Sequence, residues 1–387
     1  MFSSSPRSGP LSGLKVLEIA GLGPGPFAAM LLADLGAEVV RVDRPGSGTE
    51  GVGSAPLDRG RRSVVIDLKR PEGTAVLLRL IDVADVLIEG YRPGVAERLG
   101  FGPDECLRRN PRLVYGRMTG WGQDGPLATT AGHDITYLAR TGALHAIGRA
   151  GGPPQIPLNL LGDFGGGGML LAFGIGAALW ERERSGAGQV VDAAIVDGVA
   201  SMLAMQYGFL STGYARDERG VNLLDSGAPF YDVYETADGR WMAVGAIEAP
   251  FYKELLRVLE LAEMPSRADP ANWPTIRARL AQRFAEEDRD TWAQRFAGSD
   301  ACVAPVLSLN EAPRDEQLAA RATYTVADGA VQPAVAPRFS RTPGAPGVPP
   351  HKAGQDTELV LEAWGLDDVA DLIATGAVIQ TETRSLA

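Results

Sequence analysis

Three short segments place ionisable side chains in otherwise apolar surroundings. They are Gly132-His133-Asp134, Asp163 within NLLGDFGGGG (159 to 168), and Glu248 within VGAIEAPFY (244 to 252). The chain holds only three histidines, His133, His145 and His351. One of them beside an aspartate at a helix start therefore invites an acid–base reading. Each residue also has a plain structural use. His133 suits the neighbourhood of a helix cap or a satisfied core, Asp163 suits an N-cap that accepts orphan N–H groups, and Glu248 suits the first turn of a helix, where the dipole favours an acid. The glycines after Asp163 shift the balance. Four in a row cost a helix roughly 1 kcal/mol each relative to alanine, which implies that something bulky approaches the backbone closely.

The segment GLGPGPF (21 to 27) follows an apolar run and precedes a helical one, as a dinucleotide-binding turn does. Its spacing is G-x-G-x-G, not G-x-G-x-x-G, and Pro24 and Pro26 remove two backbone donors that a pyrophosphate would use. Arg44 directly follows Asp43, and a cation there suits a phosphate better than a ribose hydroxyl. The alternative is a tight turn with a surface arginine. NAD is therefore disfavoured, and an adenine-nucleotide phosphate fits better.

The elements that must position these groups alternate. Strands are expected at 14–20, 38–43, 62–68, 85–90 and 112–120, with helices at 27–37 and 71–84, the latter opened by Pro71. That order implies an α/β domain with a parallel sheet covered on both faces. The stretches 164–185 and about 194–210 read as helical. Residues 228–247 read as a hairpin turning at Asp238-Gly239, followed by three helical patterns over 249–300. Residues 337–355, rich in Pro and Gly, read as a linker or return strand, and two short helices follow.

With 387 residues, 45% of them hydrophobic and 22% charged, the chain suits a two-domain globular protein. A net charge of −11 disfavours nucleic acid as a partner. Two distant cysteines, Cys106 and Cys302, make neither a metal motif nor a disulfide framework, and a reducing cytosol fits. MFSSSPRSGP lacks the apolar region of a signal peptide, and TRSLA is not a peroxisomal tripeptide. The longest apolar stretch, 169–180, is about 12 residues, short for a bilayer, so no membrane partner is expected.

Long segments carry a resemblance. LSGLKVLEIAGLGPGPFAAMLLADLGAEVVRVDRP, ADVLIEGYRPGVAERLG, MTGWGQDGP, AGHDITY, GDFGGGGMLLAFGIGAALWERERSGAGQVVDAA and YETADGRWMAVGAIE are similar to the family III CoA-transferase superfamily, and within it to the alpha-methylacyl-CoA racemase branch. The resemblance covers most of 11 to 260. Transferases of the superfamily use an aspartate nucleophile at the position of Asp163. The racemases share that aspartate and add the histidine of GHD and the glutamate of AIE, here His133 and Glu248. The resemblance thus implies a racemase or epimerase of 2-methylacyl-CoA thioesters, with a CoA transferase using Asp163 as nucleophile as the alternative. No cofactor is expected, since CoA is part of the substrate, and the acyl chain stays open.

The resemblance further implies a 1,1-proton transfer through an enolate, with His133 and Asp163 on opposite faces, Glu248 orienting the histidine, and Tyr137 holding Asp163. If Asp134 opens a helix, its N–H points outward and is the candidate oxyanion donor. Arg44, Lys69, Arg92 and Arg98 are candidate CoA phosphate contacts. Arg92 and Arg98 follow a strand end, where α/β sheets bind ligands. The implied architecture is an interlocked homodimer of chains with a Rossmann-like large domain and a smaller α+β domain. Each active site would lie between the large domain of one subunit and the small domain of the other. The expected boundaries are 1–195 with 340–387 returning, a helical linker at 196–224, a small domain at 225–330 and a return linker at 331–339.

Overall fold

The computed structural model describes residues 8–47, 56–327 and 329–381. The two terminal readings, on a signal peptide and a peroxisomal tripeptide, fall wholly or mostly outside these residues. The chain begins β1 (Lys15–Ile19), α1 (Pro24–Asp34), β2 (Glu38–Asp43), β3 (Arg61–Ile66), α2 (Pro71–Ile81), β4 (Val86–Glu89), α3 (Val95–Arg98), α4 (Pro103–Arg109), β5 (Val114–Thr119), α5 (Asp134–Thr141) and α6 (Ala143–Ala146). A π-helical turn (Leu160–Met169) then runs directly into α7 (Leu170–Ser185). After it come β6 (Val190–Ala194), α8 (Ile195–Met202), α9 (Ala204–Ser211), β7 (Tyr231–Glu235), β8 (Trp241–Gly245), α10 (Ala249–Val258), α11 (Trp273–Phe284), α12 (Arg289–Phe296) and β9 (Val303–Pro305).

The chain divides into two compact units. One comprises 1–141, 158–202 and 317–387, the other 142–157 and 203–316. In the first, strands β1 to β6 lie in the order β3-β2-β1-β4-β5-β6, all parallel, and the short strand Val378–Ile379 adds antiparallel to β3. The order reverses between β1 and β4, the switch point of a doubly wound sheet. Burial on both faces explains the unbroken apolar runs. Leu17, Ile19, Val40, Val42, Val64 and Ile66 face α2 and the C-terminal helix Thr357–Ala363, while Val16, Val39 and Val86 are buried on the opposite side. Buried groups of this size contribute roughly 1.5–3 kcal/mol each. Cys106 is buried, its thiol donating to the Phe101 carbonyl, and Cys302 is exposed; both are free thiols.

The structure adds a strand that the sequence did not announce. β6 occupies 190–194, just ahead of the helical stretch read at 194–210, and completes the sheet beside β5. The proline-rich segment 337–355 forms no strand. It returns as extended chain along the first unit, where the Val348 carbonyl accepts the Gly60 N–H at 2.8 Å. The apolar helical run is also longer than its 12-residue centre suggested. The π turn and α7 make 26 continuous residues, Leu160–Ser185, enough by length and composition to cross a bilayer, with a third of its apolar window buried. Leu171 and Ile175 pack on Gly116 of the sheet, while Met169, Phe173 and Trp180 are exposed.

In the second unit, β7, β8 and β9 form an antiparallel sheet in that order. The β7–β8 hairpin turns through Gly239, whose φ of 72° suits a residue without a Cβ. Trp292, Phe284, Leu280, Ile276 and Leu255 from α10, α11 and α12 cover it.

Candidate active site

His133 immediately precedes α5. Its carbonyl accepts the Thr136 N–H at 2.8 Å and the Thr136 hydroxyl at 2.7 Å, and its own N–H donates to Thr136 Oγ1 at 3.0 Å. The threonine thus caps the start of the helix and leaves the imidazole exposed. Asp134 is the first helical residue, so its N–H has no partner within the helix.

Asp163 sits inside the first turn of the π segment and is not its cap; Asn159 occupies the cap position. Burial pushes the Asp163 carboxyl up to about 6, and the negative charge of Asp134 adds to the rise. A hydrogen bond with the Asn159 side chain and the proximity of His133 pull it back. The two carboxyl residues are also joined directly, because the Asp163 N–H donates to Asp134 Oδ2 at 2.7 Å. The Asp134 carboxyl is itself raised by burial, against hydrogen bonds from the Asp163 and Gly162 backbones.

The glycine run admits the close approach that its composition implied. A Cβ on Gly167 would stand 2.9 Å from Pro24 Cβ, and one on Gly168 2.7 Å from the Pro24 carbonyl oxygen. A Cβ on Gly166 would stand 2.7 Å from Val199 Cγ2. The bulky neighbours are therefore α1 and α8, which the glycines admit to the backbone of the turn. Phe164 completes the contact by stacking on Phe27 at 4.6 Å between ring centroids.

Tyr137 is buried, its ring set edge-on to Trp121 at 4.7 Å and roofed by Gly120 and Gly132. Burial raises its hydroxyl, Asp163 adds to that rise, and Arg92 opposes it. His133, Asp134 and Tyr137 thus lie within electrostatic reach of Asp163, and Arg92 within reach of Tyr137. Arg44 follows the carboxyl end of β2 and Lys69 that of β3, while Arg92 and Arg98 follow β4; all four are exposed. Asp43, which a dinucleotide site would aim at a ribose, is occupied by Arg41 at 2.8 Å and the Ser63 hydroxyl at 2.6 Å. Glu248 is exposed at the N-cap of α10 and belongs to the second compact unit.

Asn159, Thr136 and Gly23 were not singled out in the sequence. Asn159 lies four residues before Asp163, a spacing that pairs side chains on one helical face. Gly23 has φ 70°, and a Cβ there would lie 3.1 Å from Asp163 Oδ2. Nothing local marks that approach.

A doubly wound sheet with ionisable groups gathered at helix starts near its carboxyl edge defines an α/β protein of the class whose ligands lie across the strand ends. Residues 11–357 match CoA-transferase family III, and the chain belongs to that family. It is 48% identical to a mouse (Mus musculus) alpha-methylacyl-CoA racemase over 92% of this chain and 93% of that one. The human (Homo sapiens) alpha-methylacyl-CoA racemase is 46% identical with the same coverage. A CAIB/BAIF family protein from Brucella suis has a similar fold, with a TM-score of 0.80 at 25% identity, covering 92% of this chain and all of that one.

Proposed function

We propose that this protein interconverts the alpha-carbon stereoisomers of 2-methylacyl-CoA thioesters by 1,1-proton transfer. The observation that carries the reading is the Asp163 carboxyl. It is raised to about 6 by burial beside Asp134, with His133 close enough to act on it. Such a carboxyl can hold or release a proton near neutral pH, as an acid–base partner must. The near-half identity to two racemases supports the same activity.

In this reading one of the pair, His133 or Asp163, takes the alpha proton, and the C–H electrons move onto the thioester oxygen as an enolate. The Asp134 N–H donates to that oxygen. The other member returns a proton to the opposite face of the same carbon, inverting it. One proton is shared between the two groups in the resting site. Arg44, Lys69, Arg92 and Arg98 hold the CoA phosphates. Glu248 orients His133 and is supplied by a second copy of the chain in a homodimer. The exposed Phe173 and Trp180 of α7, and Tyr207 of α9, give such a copy apolar surface to cover.

The test is exchange of the alpha hydrogen with deuterated water in the absence of any acceptor acid. The racemase exchanges the label and racemises. A covalent acyl or CoA adduct trapped on Asp163, together with transfer of CoA to a free carboxylic acid, would establish the transferase instead.

A further inference from the structure

We propose that the Asp134 side chain is a positioning residue that latches the π turn and so ties Asp163 to the helix start carrying His133. The inference rests on the acid–base reading above and deepens it. Asp134 stands in the first turn of α5, yet its carboxylate does not cap that helix. The cap comes from Thr136. Asp134 instead reaches across to another element and accepts the N–H of Asp163 at 2.7 Å and that of Gly162. Room for this exists only because residue 162 is glycine, since a Cβ there would stand 2.2 Å from Asp134 Oδ2.

The latch is costly. Asp134 is 8% exposed, Oδ1 is buried without a hydrogen-bond partner, and no ion pair reaches the carboxylate among the described residues. A carboxylate left so poorly compensated opposes folding, and a neutral residue would fill the space without that cost. The cost is explicable if the geometry and the charge serve the neighbouring acid. The groups facing Asp163 fit this account. From the α5 side come His133, Asp134 and Tyr137, and on its own segment Asn159; α1 and α8 offer Pro24, Phe27, Ile195, Gly198, Val199 and Met202 to the turn, none of them charged. Among the described residues that act on Asp163, Asp134 therefore brings the negative charge. A single residue then serves both ends of the reaction, its N–H facing the enolate oxygen and its carboxylate holding the turn that bears the second acid–base group.

The test compares Asp134→Asn, Asp134→Ala and Asp163→Asn in the full-length protein, measuring alpha-deuterium exchange of a 2-methylacyl-CoA against pH. Asparagine keeps an acceptor oxygen of the same shape but removes the charge. The acid limb of the kcat/KM profile should then move to lower pH, with KM changed less than about threefold. Alanine removes the latch, and kcat should fall by about 10- to 100-fold at similar KM. If alanine unfolds the chain, Asp134→Leu, which fills the space without an acceptor, takes its place. A parent-like kcat in folded Asp134→Ala overturns the latch, an Asp134→Asn profile superimposable on the parent's overturns the role of its charge, and either result with exchange impaired in Asp163→Asn leaves the acid–base reading standing. Parent-like exchange and racemisation in Asp163→Asn overturns that reading and the latch with it.

Discussion

Gly198 and Gly166 meet backbone to backbone, so that a Cβ on Gly198 would stand 1.9 Å from the Gly166 carbonyl oxygen. The contact locks α8 against the turn that carries Asp163. Gly198→Ala should force the two apart, costing about 1–3 kcal/mol as overpacking does and displacing the carboxyl. A thermal melt of the variant alongside its exchange rate checks this; unchanged stability and unchanged rate would mean that the turn tolerates the shift.

His133→Ala should lower racemisation by about two to four orders of magnitude, the usual worth of a positioned acid or base. The imidazole is exposed and its backbone is fixed by Thr136, so the fold should survive the change. Exchange rates for both enantiomers, measured on protein with a parent-like melting temperature, separate chemistry from folding. Near-parental exchange in both directions would remove His133 from the mechanism.

The Asp163 carboxyl predicts an inverse relation between activity and stability. Its folded pKa is raised from 3.8 to about 6, so the folded state binds the proton more tightly than the unfolded chain does. Stability should therefore fall as pH rises from about 4 through about 6, and the penalty should be full above that. Asp163→Asn removes it. The variant should melt higher than the parent at pH 7.5 and no higher near pH 4, while racemising poorly. Exchange from one enantiomer should persist in part, through the His133 face. Melting curves at the two pH values decide the sign.

Arg44→Ala, Arg92→Ala, Arg98→Ala and Lys69→Ala should each raise the KM for the CoA ester more than they lower kcat, since phosphate contacts bind ground state and transition state alike. Added salt should raise the parent's KM and should matter less in the variants. Binding indifferent to all four substitutions and to ionic strength would place the phosphates elsewhere.

The large sheet was legible because its strands are buried on both faces and read as apolar runs between helical patterns. β6 was not, for a physical reason. VVDAA is short, with Val190 exposed, and it runs straight into α8, so the apolar signal of the helix absorbs it. The ionisable residues were visible from their types and their resemblance to a family. The contacts that tune them were not. The reach of Asp134 to the Asp163 N–H spans 29 positions, and Gly23 abuts Asp163 from the far end of β1. Glycine composition flagged a close approach but could not say that α1 and α8 make it.

The meeting of Gly23 with Asp163 bears on where an anion can rest. In dinucleotide-binding folds the turn after the first strand is a cradle for pyrophosphate, lined with amide donors. Here two prolines have thinned those donors, and the carboxyl of Asp163 stands against Gly23. Once ionised, that carboxyl repels any phosphate entering the turn. The seat that such folds keep for an anion is thus filled from within by the protein's own acid, and the turn becomes part of the surroundings of Asp163 instead of a place for a phosphate.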